Sequence, residues 1–180
     1  MSAPVIAVLW LIWCYPFLFR APHRQKRPSI TTAGPSRIGL MLESVAIGLV
    51  ALLPRAGSIG RARLGVAVAF WAVASILSWT AVTHLGKQFR VQAGLYEDHE
   101  LVQTGPYAIV RHPIYASLFA MLLATMLLLT RWQWMPLPIV LFVVGTEIRV
   151  RTEDALLASR FGGQFRDYQL RVSAYLPFIR

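Results

Sequence analysis

Two short stretches of this chain concentrate side chains able to bind and orient a polar ligand. The first is Gly105-Pro106-Tyr107-Ala108-Ile109-Val110-Arg111-His112-Pro113-Ile114-Tyr115. Proline suits the first turn of a helix, so Pro113 marks a helix start, with the amides around His112 to Tyr115 pointing out of it. Such an end attracts a carboxylate or phosphate, and Arg111 adds a charge and a fork of donors. The second stretch is Arg149-Val150-Arg151-Thr152-Glu153-Asp154, followed by Leu156, Leu157 and Phe161. On a helix, Glu153, Leu156, Leu157 and Phe161 share one stripe, which sets an acid among apolar anchors. Glu153 and Asp154 together have the chemistry to receive an ammonium group or hydroxyls. Each feature also has a plainer reading: Arg111 as a topology anchor, Pro113 as a helix starter, Tyr115 as an interfacial aromatic, the acids as an ion-paired patch. On these residues alone both readings stand.

The elements that must position these stretches are apolar. The 180 residues are 56% hydrophobic and 14% charged, with a mean hydropathy of +0.53, whereas soluble domains carry about 25% charged residues. The expected fold is therefore all-α: a single-domain polytopic membrane bundle of about five transmembrane helices, over residues 5–19, 38–53, 64–85, 114–130 and 134–149. A cytoplasmic region follows at 150–180. The first segment lacks a basic leader and a small-residue cleavage site, and so reads as a retained helix. The fourth and fifth segments are joined so tightly that an antiparallel hairpin is expected, with Trp132 and Trp134 at its tip, where amphipathic rings favour the interface. Glycines at 162 and 163 suit a helix C-terminus after Phe161.

Charge sets orientation and partners. Lys and Arg number five between Arg20 and Arg37 (with Arg24, Lys26 and Arg27), three between Lys87 and Arg111 (with Arg90), and six from Arg149 to Arg180. With five spans these fourteen share one side, against four (Arg55, Arg61, Arg63 and Arg131) on the other. The positive-inside rule then places the amino terminus outside and the carboxyl terminus, with both polar stretches, in the cytoplasm. The net charge of +10 is spread between apolar runs, so the expected partner is the anionic bilayer surface, not nucleic acid. The single cysteine, Cys14, excludes an intrachain disulfide and a cysteine-based metal site. No metal ligands are assigned.

The run from Leu85-Gly86-Lys87 through His99-Glu100-Leu101-Val102-Gln103-Thr104-Gly105-Pro106-Tyr107 and Arg111-His112-Pro113-Ile114-Tyr115 resembles the isoprenylcysteine carboxyl methyltransferase family and its phospholipid methyltransferase relatives. Arg151-Thr152-Glu153-Asp154-Ala155-Leu156-Leu157, with Phe161-Gly162 and Tyr168, resembles that family's second motif. The resemblance covers residues 85–178, about half the chain. It implies that an Arg-His-Pro motif and an acidic pair bracket a helical hairpin and hold S-adenosylmethionine on the cytoplasmic face. It further implies methyl transfer to a lipophilic acceptor. Carried over residue by residue, Gly105, Tyr107, His112, Pro113, Tyr115, Glu153 and Asp154 are the expected cofactor-binding residues. Arg111, meeting a carboxylate of cofactor or acceptor, and Glu153 are the expected catalytic ones. Three departures stand out: Asp154 where the family has a second Glu, Ala116-Ser117 where a glycine is common, and Ser173-Ala174-Tyr175-Leu176-Pro177 in place of a Val-Pro-Arg ending. The last removes the expectation that the carboxyl terminus lines the site.

The implied reaction is an in-line displacement, which alignment alone promotes strongly. A carboxylate acceptor is already ionised at pH 7 and needs no base; a phospholipid amine would need one, for which His99, Glu153 and Asp154 are candidates. A nicotinamide-dependent membrane reductase and a non-catalytic scaffold are the rival readings. Glu43 is a further candidate, roughly 7.5 Å along its helix from Ile38. At that depth a carboxylate is costly and suspected of function, while so near the helix end it could instead snorkel or pair with an arginine. His84 reads as interfacial and His23 as a solvated loop residue.

Overall fold

Apolar runs long enough to cross a membrane fold into helices whose only compatible partners are lipid and one another. The computed structural model describes residues 3–19, 29–32, 34–89, 94–96 and 99–175. The helices are α1 (Ala3–Phe19), α2 (Pro35–Leu52), α3 (Arg61–Leu85), α4 (Pro113–Leu129), α5 (Pro136–Phe161) and α6 (Gly163–Arg171). Helix α2, and α3 with the turn that follows it, are long and apolar enough to cross a membrane; α1 and α4 are shorter apolar helices. Two short strands, β1 (Ser29–Thr32) and β2 (Gly94–Tyr96), pair antiparallel, with Ser29 opposite Tyr96 and Thr32 opposite Gly94. The β-branched run Ile30-Thr31-Thr32 favours this extended backbone. His23, Arg20, Arg24, Lys26, Arg27, Arg90, Leu176, Pro177 and Arg180 lie outside the described residues.

Helix ends fall where local chemistry puts them. Pro113 opens α4 and Gly162, at φ 51°, closes α5; glycine accepts that left-handed conformation without a Cβ penalty. The fifth helix, however, runs to Phe161, well past residue 149. Its charged half continues the apolar half as one helix, so the end of the apolar run is not the end of the helix.

The hairpin of α4 and α5 reverses the chain as expected, but its arms are not each other's main partners. Helix α4 lies along α3 and α5 along α2. Bulky side chains hold the two arms apart, with the Phe119 and Phe142 rings stacked at 5.5 Å. The α2–α5 contact is the opposite kind. A Cβ on Gly145 would stand 2.7 Å from the Gly39 carbonyl oxygen and 2.9 Å from Leu42 Cβ, and one on Gly39 would overlap the Gly145 carbonyl. Small residues let the two backbones touch, as membrane helices commonly require. Leu11, Met41, Ile76 and Val140 are exposed on α1, α2, α3 and α5. Helix α4, by contrast, shows no exposed large hydrophobic among its residues and forms the centre of the bundle. At one end the loops after α2 and α4 join, Ala56 N–H donating to the Leu129 carbonyl at 2.7 Å and Arg131 N–H to Pro54 at 3.2 Å. Trp132 and Trp134 are exposed at that end.

Candidate functional site

The opposite end brings the two polar stretches together. The start of α4 meets the charged half of α5, and α6 folds back across both. His112 Nε2 lies 2.9 Å from Asp154 Oδ1 and its Nδ1 is 3.6 Å from Glu153 Oε2. Arg111 Nη2 donates to Asp154 Oδ2 at 3.2 Å, and Gln169 Nε2 donates to the same oxygen at 3.1 Å. The Tyr115 hydroxyl donates to Glu153 Oε1. Asp154 is thus held by three donors inside the protein, whereas Glu153 keeps a quarter of its side chain exposed.

The chain's own tail supports this cluster. Arg111 N–H donates to the Ser173 carbonyl at 2.8 Å and His112 N–H to that of Ala174 at 3.0 Å. The Arg111 guanidinium also donates to the Val172 carbonyl at 2.5 Å. The His112 amide, one of those expected to attract an anion, is therefore taken by residue 174, and that of its neighbour Arg111 by residue 173. The tail braces the motif loop from behind. The Tyr175 ring is tilted against His112, centroids 6.3 Å apart, and its hydroxyl donates to Glu147 at 2.7 Å. Neither the tail's role nor that of α6 is legible from local pattern, except that Phe165 and Tyr168 share a helix face. Both are buried, and the Tyr168 hydroxyl donates to the Tyr107 carbonyl at 2.5 Å.

Gly105 adopts φ 59°, and a Cβ there would run into the His84 ring. The loop carrying Tyr107 can follow this path only with glycine at that point. His84 is fixed in turn, its Nδ1 lying 2.8 Å from the Thr80 carbonyl.

Below the cluster lies a buried ion pair. Arg149 Nη1 donates to Glu43 Oε2 at 2.6 Å and the Thr146 hydroxyl to Glu43 Oε1 at 2.8 Å. Glu43 is 1% and Arg149 8% exposed. The Arg149 guanidinium also covers the Tyr115 ring, 4.8 Å from its centroid. Of the readings left for Glu43, the structure shows the pairing with an arginine rather than snorkelling, and Glu43 also lines the cavity that opens onto the cluster. Arg149 stands four residues before Glu153, on the same face of α5.

A cavity of about 490 Å³ opens onto the cluster. Tyr107, Arg111, His112, Pro113, Tyr115, Glu153 and Asp154 all line it, as do His99 and Arg149. Of the expected site residues only Gly105 is absent from its walls. The cavity continues between α1 and α2, where Phe17, Leu18, Leu40 and Ile47 make its apolar side.

The electrostatics follow from burial and pairing. Burial alone would lower the His112 pKa, but its hydrogen bonds to Asp154 and Glu153 outweigh that and hold it above the usual 6.5. Burial likewise works to raise Asp154, yet His112 and Arg111 hold its carboxyl below the usual 3.8. Burial, then the charge of Glu153, pushes the Tyr107 phenol far up, and burial takes Tyr168 to about 12. Both tyrosines stay neutral in working solution.

Linkage gives these shifts a stability signature. The raised His112 contributes fully below its unfolded value near 6.5 and loses the contribution as pH climbs through the folded pKa. The lowered Asp154 contributes above 3.8 and loses it as pH falls through its folded value. Both therefore act together between those limits. Thermal unfolding in detergent is expected to show a midpoint that declines as pH rises above the unfolded histidine value near 6.5, and more gently in His112→Gln. Parallel profiles for the two proteins would remove the pair from the stability of the site.

Comparison with known proteins adds to this geometry. The family model described as isoprenylcysteine carboxyl methyltransferase matches residues 67–159, an interval holding both polar stretches. The protein-S-isoprenylcysteine O-methyltransferase of Tribolium castaneum is 34% identical over 106 residues, covering 58% of this chain and 38% of that protein. The Schizosaccharomyces pombe protein of the same name is 33% identical over 116 residues, covering 63% and 49%. The chain thus spans about half the length, or less, of these relatives. A solved structure of the eukaryotic intramembrane Ras methyltransferase ICMT aligns with 99% of this chain and 54% of that one, at 23% identity and a TM-score of 0.46.

Proposed function

The chain belongs to the isoprenylcysteine carboxyl methyltransferase family, and from that premise we propose that it transfers a methyl group from S-adenosylmethionine to the carboxylate of a prenylated cysteine. The observation that carries this reading is one cavity with two chemistries. Its polar end is built from Tyr107, His112, Tyr115 and Glu153, and its apolar side from Phe17, Leu18, Leu40 and Ile47. A water-soluble donor and a lipid-borne acceptor need such a space, and ligand sites of a few hundred cubic ångströms are usual for one compact molecule.

The donor, when bound, supplies an electrophilic methyl on a sulfonium. The chain's residues bind and orient. Glu153, partly exposed and acid-bearing, is the assigned partner of the donor's ammonium or ribose hydroxyls. Tyr115 holds one of its oxygens and Arg149 holds the Tyr115 ring. Asp154, with its three donors, fixes His112 and Arg111 in place, so Arg111 is assigned to the architecture of the site in its present contacts. Gly105 and Tyr107 shape the covering loop. The acceptor carboxylate is ionised at neutral pH, so no base is assigned; His99 gains a role only with an amine acceptor.

The same reading makes one domain of residues 1–180 and five membrane spans of α1 to α5, the last crossing with its apolar half. The amino terminus then lies outside and the cavity opens at the cytoplasmic face. The observation that supports the alternation is that loops 53–56 and 130–131 pair at one end while the motif loop and tail gather at the other.

Purified protein in detergent is expected to bind S-adenosylhomocysteine by calorimetry and to move a radiolabelled methyl group onto an N-acetyl-S-prenylcysteine. Binding of a nicotinamide dinucleotide instead would make it a reductase, and binding of neither a scaffold.

A further inference from the structure

The carboxyl-terminal stretch is one of the places where this sequence departs from its family's pattern, with Ser173-Ala174-Tyr175 in place of a Val-Pro-Arg ending. That departure sets a phenol against the site. Residues 173 and 174 run alongside the motif loop, Val110 and Ser173 forming a parallel bridge and His112 N–H donating to the Ala174 carbonyl at 3.0 Å. The next residue, Tyr175, puts its ring 6.3 Å from that of His112 and donates its hydroxyl to Glu147 Oε2 at 2.7 Å. The other oxygen of Glu147 accepts from Arg151 Nε at 2.7 Å. Glu147, Arg151 and Asp154 recur at i, i+4 and i+7 on one face of α5. The tail is therefore moored to the same helix face that holds His112.

His112 needs such a neighbour. Its Nε2 is held by Asp154, but one hydrogen bond fixes a ring at one point, and the outer torsion of a histidine has only broad minima. The tilt about that bond decides where Nδ1 points, and Nδ1 stands 3.6 Å from Glu153 Oε2. Tilt is left to the rings packed against His112, those of Tyr115 at 5.9 Å and Tyr175 at 6.3 Å. Tyr115 is part of the cavity wall and Tyr175 is not, so what Tyr175 contributes to a bound ligand passes through His112. Its own place is set by Glu147, because a hydrogen bond to a carboxylate is among the stronger kinds and gives the phenol one preferred seat.

We propose that Tyr175, latched by Glu147, is a positioning residue that sets the tilt of His112 and, through it, the acid Glu153 that receives the methyl donor. This rests on the methyl-transfer reading above. The test uses the full chain in detergent, with calorimetric binding of S-adenosylhomocysteine and methyl-transfer constants for S-adenosylmethionine and an N-acetyl-S-prenylcysteine. Tyr175→Ala is expected to weaken S-adenosylhomocysteine binding and raise the KM of the donor by about tenfold, the scale of one lost charge-assisted hydrogen bond. The KM of the acceptor is expected to stay as it was. Tyr175→Phe keeps the ring and loses the latch, so its effect is smaller and in the same direction, and it decides the matter if the alanine variant does not fold. Glu147→Ala is expected to match Tyr175→Phe, and the two combined to do no more than either, as members of one interaction do. Donor binding unchanged in both Tyr175 variants, or donor and acceptor constants rising together, overturns the proposal and leaves the tail a structural brace. Additive effects of Tyr175→Phe and Glu147→Ala overturn the latch. Absence of S-adenosylhomocysteine binding by the unsubstituted chain overturns the methyl-transfer reading and the proposal with it, an outcome distinct from all the others.

Discussion

Glu153→Gln lowers the affinity for S-adenosylhomocysteine roughly ten- to a hundredfold, the range expected when a hydrogen bond to a charged group, about 1.5–3 kcal/mol, is lost. The change keeps the shape of the side chain. Its carbonyl oxygen still accepts the Tyr115 hydroxyl, so the thermal midpoint is expected to move little. The charge is what disappears, and with it the partner assigned to the donor's ammonium. Asp154→Asn makes the contrast. Asp154 is bound by Arg111, His112 and Gln169, so neutralising it leaves the largely buried Arg111 guanidinium without its counter-charge and lowers stability as well as binding. Calorimetry and thermal unfolding on both variants separate the roles. Loss of affinity without loss of fold in Glu153→Gln supports the assignment, and unchanged affinity sinks it.

That difference between adjacent acids was not readable from Glu153-Asp154 as a pair. Local signals did their part: Pro113 and Gly162 start and stop helices because each restricts or frees its own backbone, and the apolar runs lie within a few residues of the observed helices, except that α5 continues beyond 149 to Phe161. The gathering of His112 with Glu153 was legible only through family resemblance, since 41 positions separate them in the chain. Partner choice was less accessible still. Glu43 could be seen to need a cation, but nothing local says that Arg149, more than 100 residues away, supplies it. Gly39 and Gly145 show why. Their closeness selects α2 as the neighbour of α5, and only that packing brings the two charges together. The tail escaped for the same reason, because its bonds from Arg111 and His112 end on its own backbone carbonyls and leave no mark on its side-chain types.

The Glu43–Arg149 pair yields the second large effect. Glu43→Leu and Arg149→Met each strand one charge in a space almost closed to water, and breaking such a pair costs about 3–5 kcal/mol. The double replacement strands none. Paired charges exchanged for apolar side chains of similar volume are often neutral or stabilising, so the double variant is expected to recover most of the unfolding free energy lost by either single one. Methyl transfer is expected not to recover. Arg149 also covers the Tyr115 ring, and Tyr115 holds Glu153. The thioether that Arg149→Met introduces cannot reproduce the cation over that ring, a contact that contributes about 2 kcal/mol when desolvated. Chemical unfolding in detergent and methyl-transfer rates on the three variants decide the matter. Stability and activity returning together would make the pair purely structural. Stability returning alone makes Arg149 a positioning residue, through which the contact between α2 and α5 sets the geometry of the acid at the cavity mouth.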